Sequence, residues 1–280
     1  MVAVPAAFLF FGAAPAAPGA DRPQKPRPGS FALAGALRTS LHNAASVDLN
    51  YLIKPLYADV EPERRELGAG RTEIFPADSH YEIRVLPEET ALVYWLFPGE
   101  HYIVREVEEA GLRIFKRSRN FPGALVLAPF VATPMPVVES MLELAGVNAD
   151  SVVFDLGCGD GRVVVTAASK YGARCVGVDI DPARIAEARA RARAAGVEDR
   201  VVILRQDIFD TDISPATVVY LYLYPDSNHL VRPFLEEHLQ PGTVVVCHDF
   251  LMPGWRENLI ATHEIENEYG MVGTLFIYRR

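Results

Sequence analysis

An acidic residue followed by three alternating glycines stands at the centre of the sequence. Residues 155–162 read Asp-Leu-Gly-Cys-Gly-Asp-Gly-Arg and come directly after the short apolar run 151–154. Such a run predicts a buried strand, and the glycines let the backbone turn tightly and approach a ligand at the N-terminus of a following helix. The pattern predicts a nucleotide-type site, although glycines alone are also compatible with a tight turn that binds nothing.

Polar residues at two later strand ends strengthen the binding-site interpretation. The apolar run 173–178 ends at Asp179, which follows Gly157 by 22 residues. At this separation the second strand of a βαβ unit places a carboxylate beside a ribose diol. A third predicted strand, 201–204, precedes Asp207 and Ile208, which are candidates for contacts with an adenine edge. Three strand ends are therefore expected to converge on one crevice.

The charges of the glycine stretch separate two kinds of nucleotide ligand. Asp155 precedes the first glycine, and Asp160 lies between the second and the third. Carboxylates repel the pyrophosphate of a dinucleotide but attract the ammonium and sulfonium groups of S-adenosylmethionine. We therefore expect S-adenosylmethionine as the cofactor.

Four segments give the sequence a family resemblance. Residues 155–162, 129–134, 177–181 and 247–250 resemble class I S-adenosylmethionine-dependent methyltransferases. Within that superfamily they are most similar to the group that contains the lysine methyltransferases of ATP synthase subunit c and of the adenine nucleotide translocase, with their bacterial relatives. The resemblance covers about the last 150 residues. It implies methyl transfer to a protein lysine.

The expected cofactor-binding residues belong to the glycine stretch, to the ends of the next two strands and to a proline-rich segment that lies beside the cofactor in the resembled family. They are Phe130, Thr133, Asp155, Gly157, Cys158, Gly159, Asp160, Gly161, Asp179, Ile180, Asp207 and Ile208. No metal ligand set is expected. The three cysteines have neither pair spacing nor an even number, which favours buried apolar roles.

The expected acceptor side comes from the ends of the fourth and fifth strands. His248 and Asp249 follow strand 243–247 and are candidate general bases, because a lysine ammonium must lose a proton before its nitrogen can attack. Tyr222 is a candidate for an aromatic slot around an amine, with a core or rim position as the alternative. The Asn/Asp-Pro-Pro-aromatic sequence of enzymes that methylate base amines is absent here, which argues against adenine or cytosine N-methylation.

The remaining pattern predicts the fold class. Helices are expected over 137–145, 162–171, 183–195 and 226–239, alternating with the strands, and residues 260–267 and 272–279 predict a final antiparallel hairpin. The fold is therefore α/β: a Rossmann-like class I methyltransferase sheet of seven mostly parallel strands. A small β-rich N-terminal region precedes it.

The sequence indicates three segments: a leader with a linker at 1–30, an accessory region at 31–127, and the methyltransferase domain at 128–280. Strands are expected at 80–85, 90–97, 101–107 and 113–119. Leucines at four-residue spacing allow a helix between 31 and 57. The leader has a short apolar run and a small-residue cleavage signature, so it could be an export signal or a weak membrane anchor. Because the cofactor is made in the cytoplasm, that compartment is favoured for the catalytic domain.

The charge of the sequence limits the classes of partner that the chain is expected to bind. Residues 128–280 hold 13 basic and 21 acidic side chains, and the whole chain carries a net charge of −9. An acidic catalytic half disfavours nucleic acid and tolerates a basic protein substrate. The arginines of helix 183–195 are interpreted as the solvent-exposed face of that helix rather than as a nucleic-acid contact. A small-molecule methyltransferase and a non-catalytic S-adenosylmethionine-binding protein remain the alternative functions, and the oligomeric state is not indicated.

Overall fold

The structure is a computed structural model that describes residues 38–56, 58, 60–76, 79–86, 92–266, 270 and 272–280. The chain forms two compact units. One ends at Glu106 and also takes in Leu112–Arg117, and the other consists of Val107–Gly111 and Ser118–Arg280. The predicted leader lies outside the described residues, and the predicted domain boundaries stay predictions.

The first unit is built from strands. They are β1 (Thr39–Asn43), β2 (Leu49–Pro55), β3 (Glu63–Leu67), β4 (Thr72–Phe75), β5 (Tyr81–Val85), β6 (Val93–Leu96), β7 (His101–Val107) and β8 (Gly111–Arg117). One sheet contains β4, β1, β7 and β8 in this order, and the other contains β3, β2, β5 and β6. Alternating apolar residues such as Leu41, Tyr51 and Ile83 form their buried core.

The β-rich character predicted for this region is present, but the helix predicted between 31 and 57 is wrong for its described part. Residues 39–43 and 49–55 are strands whose side chains alternate between buried and partly exposed positions. The leucine spacing was misleading because strand partners, rather than a helix face, bury Leu41 and Leu49. Strands β3 and β4 were not predicted: four of the five residues of β3 are charged, and β4 spans only four residues.

The second unit contains the predicted seven-stranded sheet. After a short strand β9 (Leu125–Val126), its strands are β10 (Val152–Leu156), β11 (Arg174–Asp179), β12 (Val201–Arg205), β13 (Val218–Leu221), β14 (Val244–His248), β15 (Leu259–Glu266) and β16 (Val272–Arg279). The order across the sheet is β12-β11-β10-β13-β14-β16-β15. The first five strands in this order are parallel, and β16 and β15 add an antiparallel pair. The carboxyl ends of five strands therefore share one edge.

Four helices connect these strands: α1 (Met135–Leu144), α2 (Arg162–Tyr171), α3 (Pro182–Ala195) and α4 (Pro225–His238). Helix α3 begins where the Asp181 carboxylate accepts a hydrogen bond from the Ala183 N–H, and it ends at Gly196 in a left-handed conformation. Apolar residues of α1, α2 and α3 share one buried cluster with the sheet. The hydroxyl of Tyr220 on β13 donates to the Met141 carbonyl over 2.9 Å, which fastens α1 to this face.

Helices α2 and α3 approach each other closely at Gly161. Its φ is 76°, and a Cβ at this position would lie 2.8 Å from the Cβ of Ala188 and 3.0 Å from its Cα. Glycine is required here for two reasons, since the backbone is left-handed and the facing helix leaves no room for a methyl group.

Within the described ranges, no helix has the length and the apolar character that crossing a bilayer requires.

We expect Gly161→Ala to lower the free energy of unfolding by about 2 kcal/mol more than Gly196→Ala. Both glycines have positive φ, but nothing lies within 4 Å of a Cβ at Gly196, so this control variant carries the backbone strain without the clash. Urea denaturation of both variants measures the difference. Equal losses would show that the helices move apart without penalty.

Candidate functional site

The carboxyl edge of the parallel strands gathers the polar residues predicted from the sequence. Asp155 lies in β10, Asp179 ends β11, His248 ends β14, and Tyr222 follows β13. Registers between neighbouring strands place Asp155 beside Gly177 and Tyr220. The three predicted strand ends therefore meet, and the ends of β13 and β14 extend the same row.

The glycine stretch forms the turn between β10 and α2. Gly157, Gly159 and Gly161 have φ of 96°, 51° and 76°. The N–H groups of Gly157 and Cys158 donate to the Val178 carbonyl over 2.8 and 2.9 Å, which ties the turn to β11. A side chain would fill the space over Gly159, since its Cβ would lie 2.4 Å from Cε2 of Phe130. The turn is thus a backbone cradle directly under an aromatic ring.

Asp155 provides a carboxylate without a partner. Only 7% of the residue is exposed, and its carboxylate receives no hydrogen bond or ion pair from any residue that the structure describes. Burial, together with the nearby charges of Asp179 and Asp160, raises the pKa of this carboxyl group to about 7. A buried carboxylate in this state is suited to a cationic ligand.

Asp179 organises the turn as well as the strand end. Its Oδ2 accepts the Gly159 N–H and its Oδ1 accepts the Asp181 N–H, both over 2.9 Å. Burial raises the pKa of the Asp179 carboxyl group, while these backbone hydrogen bonds oppose the shift. Each carboxylate oxygen keeps a lone pair, so a diol can still donate to it.

Asp160 has protein partners that Asp155 lacks. Its carboxylate accepts from the guanidinium groups of Arg162 and Arg191, each over 2.7 Å. These hydrogen bonds and charges lower its pKa in spite of burial. The two arginines balance the charge of Asp160 within the protein, and its contact with the methionine end of the cofactor stays a prediction.

Arg162 also connects the turn to the proline-rich segment before α1. Its Nη1 donates to the Thr133 carbonyl over 2.7 Å, and Thr133 is buried. Phe130 is 45% exposed, lies over Gly159 and stacks under the guanidinium of Arg184, which is 4.5 Å from the ring centroid. The segment therefore lies against the glycine turn, and its contact with a cofactor stays a prediction.

The other expected cofactor residues lie along the same edge. Cys158 is buried, and burial raises the pKa of its thiol well above the usual value, so the thiol stays protonated. Ile180 is half-buried just after β11. Asp207 starts a short 3-10 turn by accepting the Phe209 N–H over 3.1 Å, and Ile208 is buried within that turn. An adenine edge reaching this turn would meet a polar and an apolar side chain together.

The expected acceptor residues contact one another. The Tyr222 hydroxyl donates to Asp249 Oδ2 over 3.0 Å, and its ring lies 4.1 Å from that of His248 between centroids. Burial lowers the pKa of His248, although the Asp249 charge opposes this, so the imidazole is neutral at pH 7. Its Nε2 is 3.6 Å from Asp249 Oδ1, and its buried Nδ1 has no partner. The cluster can accept protons or hydrogen bonds from an amine.

Sequence reasoning missed three residues that hold this cluster. The Thr274 N–H donates to Asp249 Oδ1 over 3.0 Å, and Gly273 leaves room beside it. The Asn228 side chain donates to the carbonyls of Phe250 and Leu251. No local signal marks them, because their roles depend on how β16 and α4 pack against the end of β14. In the described part of the chain, no group of three or more His, Cys, Asp or Glu residues is arranged to hold a metal ion.

Comparisons with known proteins agree on methyl transfer. The family described as the ANTKMT methyltransferase domain matches residues 155–258. A protein-lysine N-methyltransferase from Saccharolobus islandicus is 43% identical over 151 residues, which are 54% of this chain and 92% of that protein. The mouse adenine nucleotide translocase lysine N-methyltransferase is 32% identical over 46% of this chain and 56% of its own length.

One solved structure is similar at comparable identity. A crystal structure of an RNA methyltransferase from Salinibacter ruber in complex with S-adenosyl-L-homocysteine shares 48% identity with a TM-score of 0.50. The match covers 53% of this chain and 93% of that protein. The bound product of the methyl donor in that structure agrees with the cofactor expected from the acidic strand ends.

We expect the affinity for S-adenosylhomocysteine to rise with pH, by about tenfold between pH 6 and pH 8. Because the Asp155 pKa is raised from its ordinary value of 3.8 to about 7, the ligand-free fold loses stability as pH rises from about 4 to about 7. The ionised form that accumulates around pH 7 attracts the ligand's ammonium. Calorimetry at three pH values measures the slope. Asp155→Asn is the control and should flatten it, whereas a slope unchanged in that variant would contradict the assignment.

We expect Asp160→Asn to reduce stability rather than cation recognition. The change leaves Arg162 and Arg191 without their shared carboxylate and should cost about 1–3 kcal/mol in the free energy of unfolding. Thermal denaturation together with the pH dependence of S-adenosylhomocysteine binding checks both parts. If the variant kept its stability and lost the pH dependence, Asp160 would be the residue that binds the ammonium.

Proposed function

Because the chain belongs to the protein-lysine N-methyltransferase family and is an S-adenosylmethionine-dependent methyltransferase, we propose that it methylates the side-chain amine of a lysine in a protein substrate. The identity of 43% across 92% of a protein-lysine N-methyltransferase carries the proposal. The match extends over nearly all of that relative, so it is not confined to a short motif.

The strand order supports assignment to the class I, Rossmann-like methyltransferases. Five parallel strands end in an antiparallel pair, and the chain reverses direction across the sheet next to β10. Open α/β sheets bind ligands outside the carboxyl ends of the strands at such a switch point. Asp155 lies at the end of β10, which is consistent with a cofactor site there.

The residues of the crevice fit S-adenosylmethionine. The unpaired carboxylate of Asp155 matches its ammonium, and the free lone pairs of Asp179 match its ribose hydroxyl groups. Gly157 and Gly159 bring the backbone close to the methionine part, with Phe130 and Thr133 as the wall. Asp207, Ile180 and Ile208 would enclose the adenosine. In this arrangement Asp155 supplies the negative charge opposite the ammonium and Asp179 supplies acceptors for the ribose, whereas Asp160 supports the turn.

The bound cofactor supplies a methyl group already activated by its positive sulfur. The protein's own contribution is then to orient the lysine nitrogen in line with the methyl carbon and to exclude water. The nitrogen lone pair forms the new N–C bond, the electrons of the broken C–S bond stay on sulfur, and the amine proton leaves. A lysine with a reference pKa near 10.4 must first be deprotonated.

The acceptor cluster can perform this deprotonation step. Asp249 is partly exposed and can accept a hydrogen bond from the lysine ammonium, while Tyr222 and Thr274 fix the orientation of its carboxylate. Burial raises the pKa of Tyr222 further above its ordinary value, so its hydroxyl remains a donor. His248 stays neutral and presents a nitrogen to the same region, from which the proton can pass to solvent.

RNA is the second candidate acceptor, because the Salinibacter ruber relative is described as an RNA methyltransferase. The electrostatics favour protein. Residues 128–280 have a net charge of −8, from 13 basic and 21 acidic side chains. Arginines of α3 are largely engaged within this unit: Arg184 stacks on Phe130, Arg189 donates to Ile203, and Arg191 pairs with Asp160. Few arginines of this helix are therefore free to neutralise phosphate groups, and phosphate neutralisation is the main source of affinity for nucleic acid.

We expect methyl-labelled S-adenosylmethionine to label protein lysines in a cell extract incubated with the purified chain. Mass spectrometry after proteolysis locates the label, and an RNase-treated extract tests dependence on RNA. Asp249→Ala should reduce incorporation by about a hundredfold while S-adenosylhomocysteine binding is retained. Asp199→Ala is the control, because it removes an exposed carboxylate that does not belong to the expected site.

The outcomes separate the candidate functions. Label on lysine side chains supports the proposal. Label confined to RNA would replace it with the RNA methyltransferase function, and label confined to small molecules would replace it with a small-molecule acceptor. Binding of S-adenosylhomocysteine with no labelling of any fraction would favour a non-catalytic binding protein.

A further inference from the structure

The chain makes an unusual turn directly after β14. Asp249 has a φ of 61°, which is uncommon for a residue with a side chain. The Phe250 N–H donates to the His248 carbonyl over 2.8 Å, so Asp249 is the central residue of a three-residue γ-turn. Backbone strain of this kind persists only where the surroundings fix it.

The turn folds the Asp249 carboxylate back over the sheet edge. Its Oδ1 accepts the Thr274 N–H of β16, and its Oδ2 accepts the Tyr222 hydroxyl beyond β13, each over 3.0 Å. The Asp249 N–H donates to the Thr274 carbonyl over 2.7 Å. The carboxylate therefore spans from β16 across His248 to Tyr222.

Gly273 leaves the space that this carboxylate occupies. A Cβ at Gly273 would lie 3.0 Å from Asp249 Oδ1 and 3.1 Å from His248 Nε2. Gly273 is not one of the glycines with positive φ, so its backbone conformation would accept any residue. Glycine is therefore favoured at this position because of space and not because of backbone conformation. The two side chains that occupy the space are Asp249 and His248, the expected acceptor residues.

The His248 ring and the backbone around Asp249 are both held in place, which leaves the Asp249 carboxylate as the group that moves. The His248 imidazole is buried and stacked on Tyr222. The backbone after Asp249 is held by Asn228, whose side chain donates to the carbonyls of Phe250 and Leu251 over 3.2 and 3.1 Å. A methyl group at Gly273 would therefore displace the carboxylate from Tyr222 and Thr274 rather than shift the whole loop.

We propose that Gly273 is a positioning residue for methyl transfer, which acts by leaving the space in which Tyr222 and Thr274 hold the Asp249 carboxylate to meet the acceptor amine. This inference rests on the proposed function, since it assigns Gly273 to the acceptor half of the same site. Cofactor binding depends on Asp155 and Asp179, which lie on other strands, so the two halves can be tested separately.

The test is a double-mutant cycle of Gly273→Ala and Asp249→Ala in the full chain. Its two readouts are the initial rate of label transfer from methyl-labelled S-adenosylmethionine to the protein fraction of an RNase-treated cell extract, and the calorimetric affinity for S-adenosylhomocysteine. Gly273→Ala should lower the transfer rate by about ten- to a hundredfold and change the affinity by less than about threefold. Val272→Ala, the neighbouring residue whose side chain is 62% exposed, is the matched control and should transfer at the wild-type rate.

The cycle distinguishes positioning from general damage to the fold. If Gly273 acts through Asp249, Gly273→Ala causes no further loss in the Asp249→Ala background, because residues that act as a unit give non-additive effects. Additive losses, a wild-type rate in Gly273→Ala, or a wild-type rate in Asp249→Ala would each overturn the inference. Failure of the proposed function would look different, since the wild-type chain would bind S-adenosylhomocysteine and leave protein lysines unlabelled.

Discussion

A buried carboxylate without a partner is the constraint on which the site depends. Removing a charge from water costs several kcal/mol unless a counter-charge compensates for it. Asp155 is buried at the end of the strand around which the sheet is ordered, and no described residue pairs with it. Its raised pKa expresses that cost. A cationic ligand at this position would remove the cost, so in the proposed site part of the methyl donor's binding energy is the relief of this electrostatic penalty.

Three neighbouring carboxylates are kept distinct by their surroundings. Asp155 is left free, Asp160 is neutralised by two guanidinium groups, and Asp179 is held by backbone N–H groups. The same side-chain type thus leaves one carboxylate free for the proposed cationic ligand, supports a turn and offers hydrogen-bond acceptors. On the other side of the sheet edge, Asp249 is oriented by Tyr222 and Thr274. The proposed donor half and the proposed acceptor half therefore belong to different strands of one sheet.

Local patterns were sufficient for the order of elements in the second unit. The apolar runs, the Asp181-Pro182 helix start and the glycines at 157, 159 and 161 act within a few residues, so their consequences can be predicted from the sequence. Patterns were less informative in the first unit. The spacing of Leu37 and Leu41 suggested a helix, yet Leu41 lies in a strand, because long-range strand pairing decides the outcome there.

The roles of individual site residues depended on contacts that the sequence does not reveal. Asp155 and Asp160 look equivalent in the motif, and they are separated by the direction in which the Arg162 side chain turns and by the packing of α3, which brings Arg191 to Asp160. Gly273 resembles any hairpin glycine until β16 is placed beside β14.

The most direct test of the central claim is a crystal structure with S-adenosylhomocysteine. We predict ligand density above the turn at 157–161, with the ammonium nitrogen within hydrogen-bonding distance of the Asp155 carboxylate and the ribose hydroxyl groups on Asp179. Density elsewhere, or an ammonium group bound without contact to Asp155, would contradict the account.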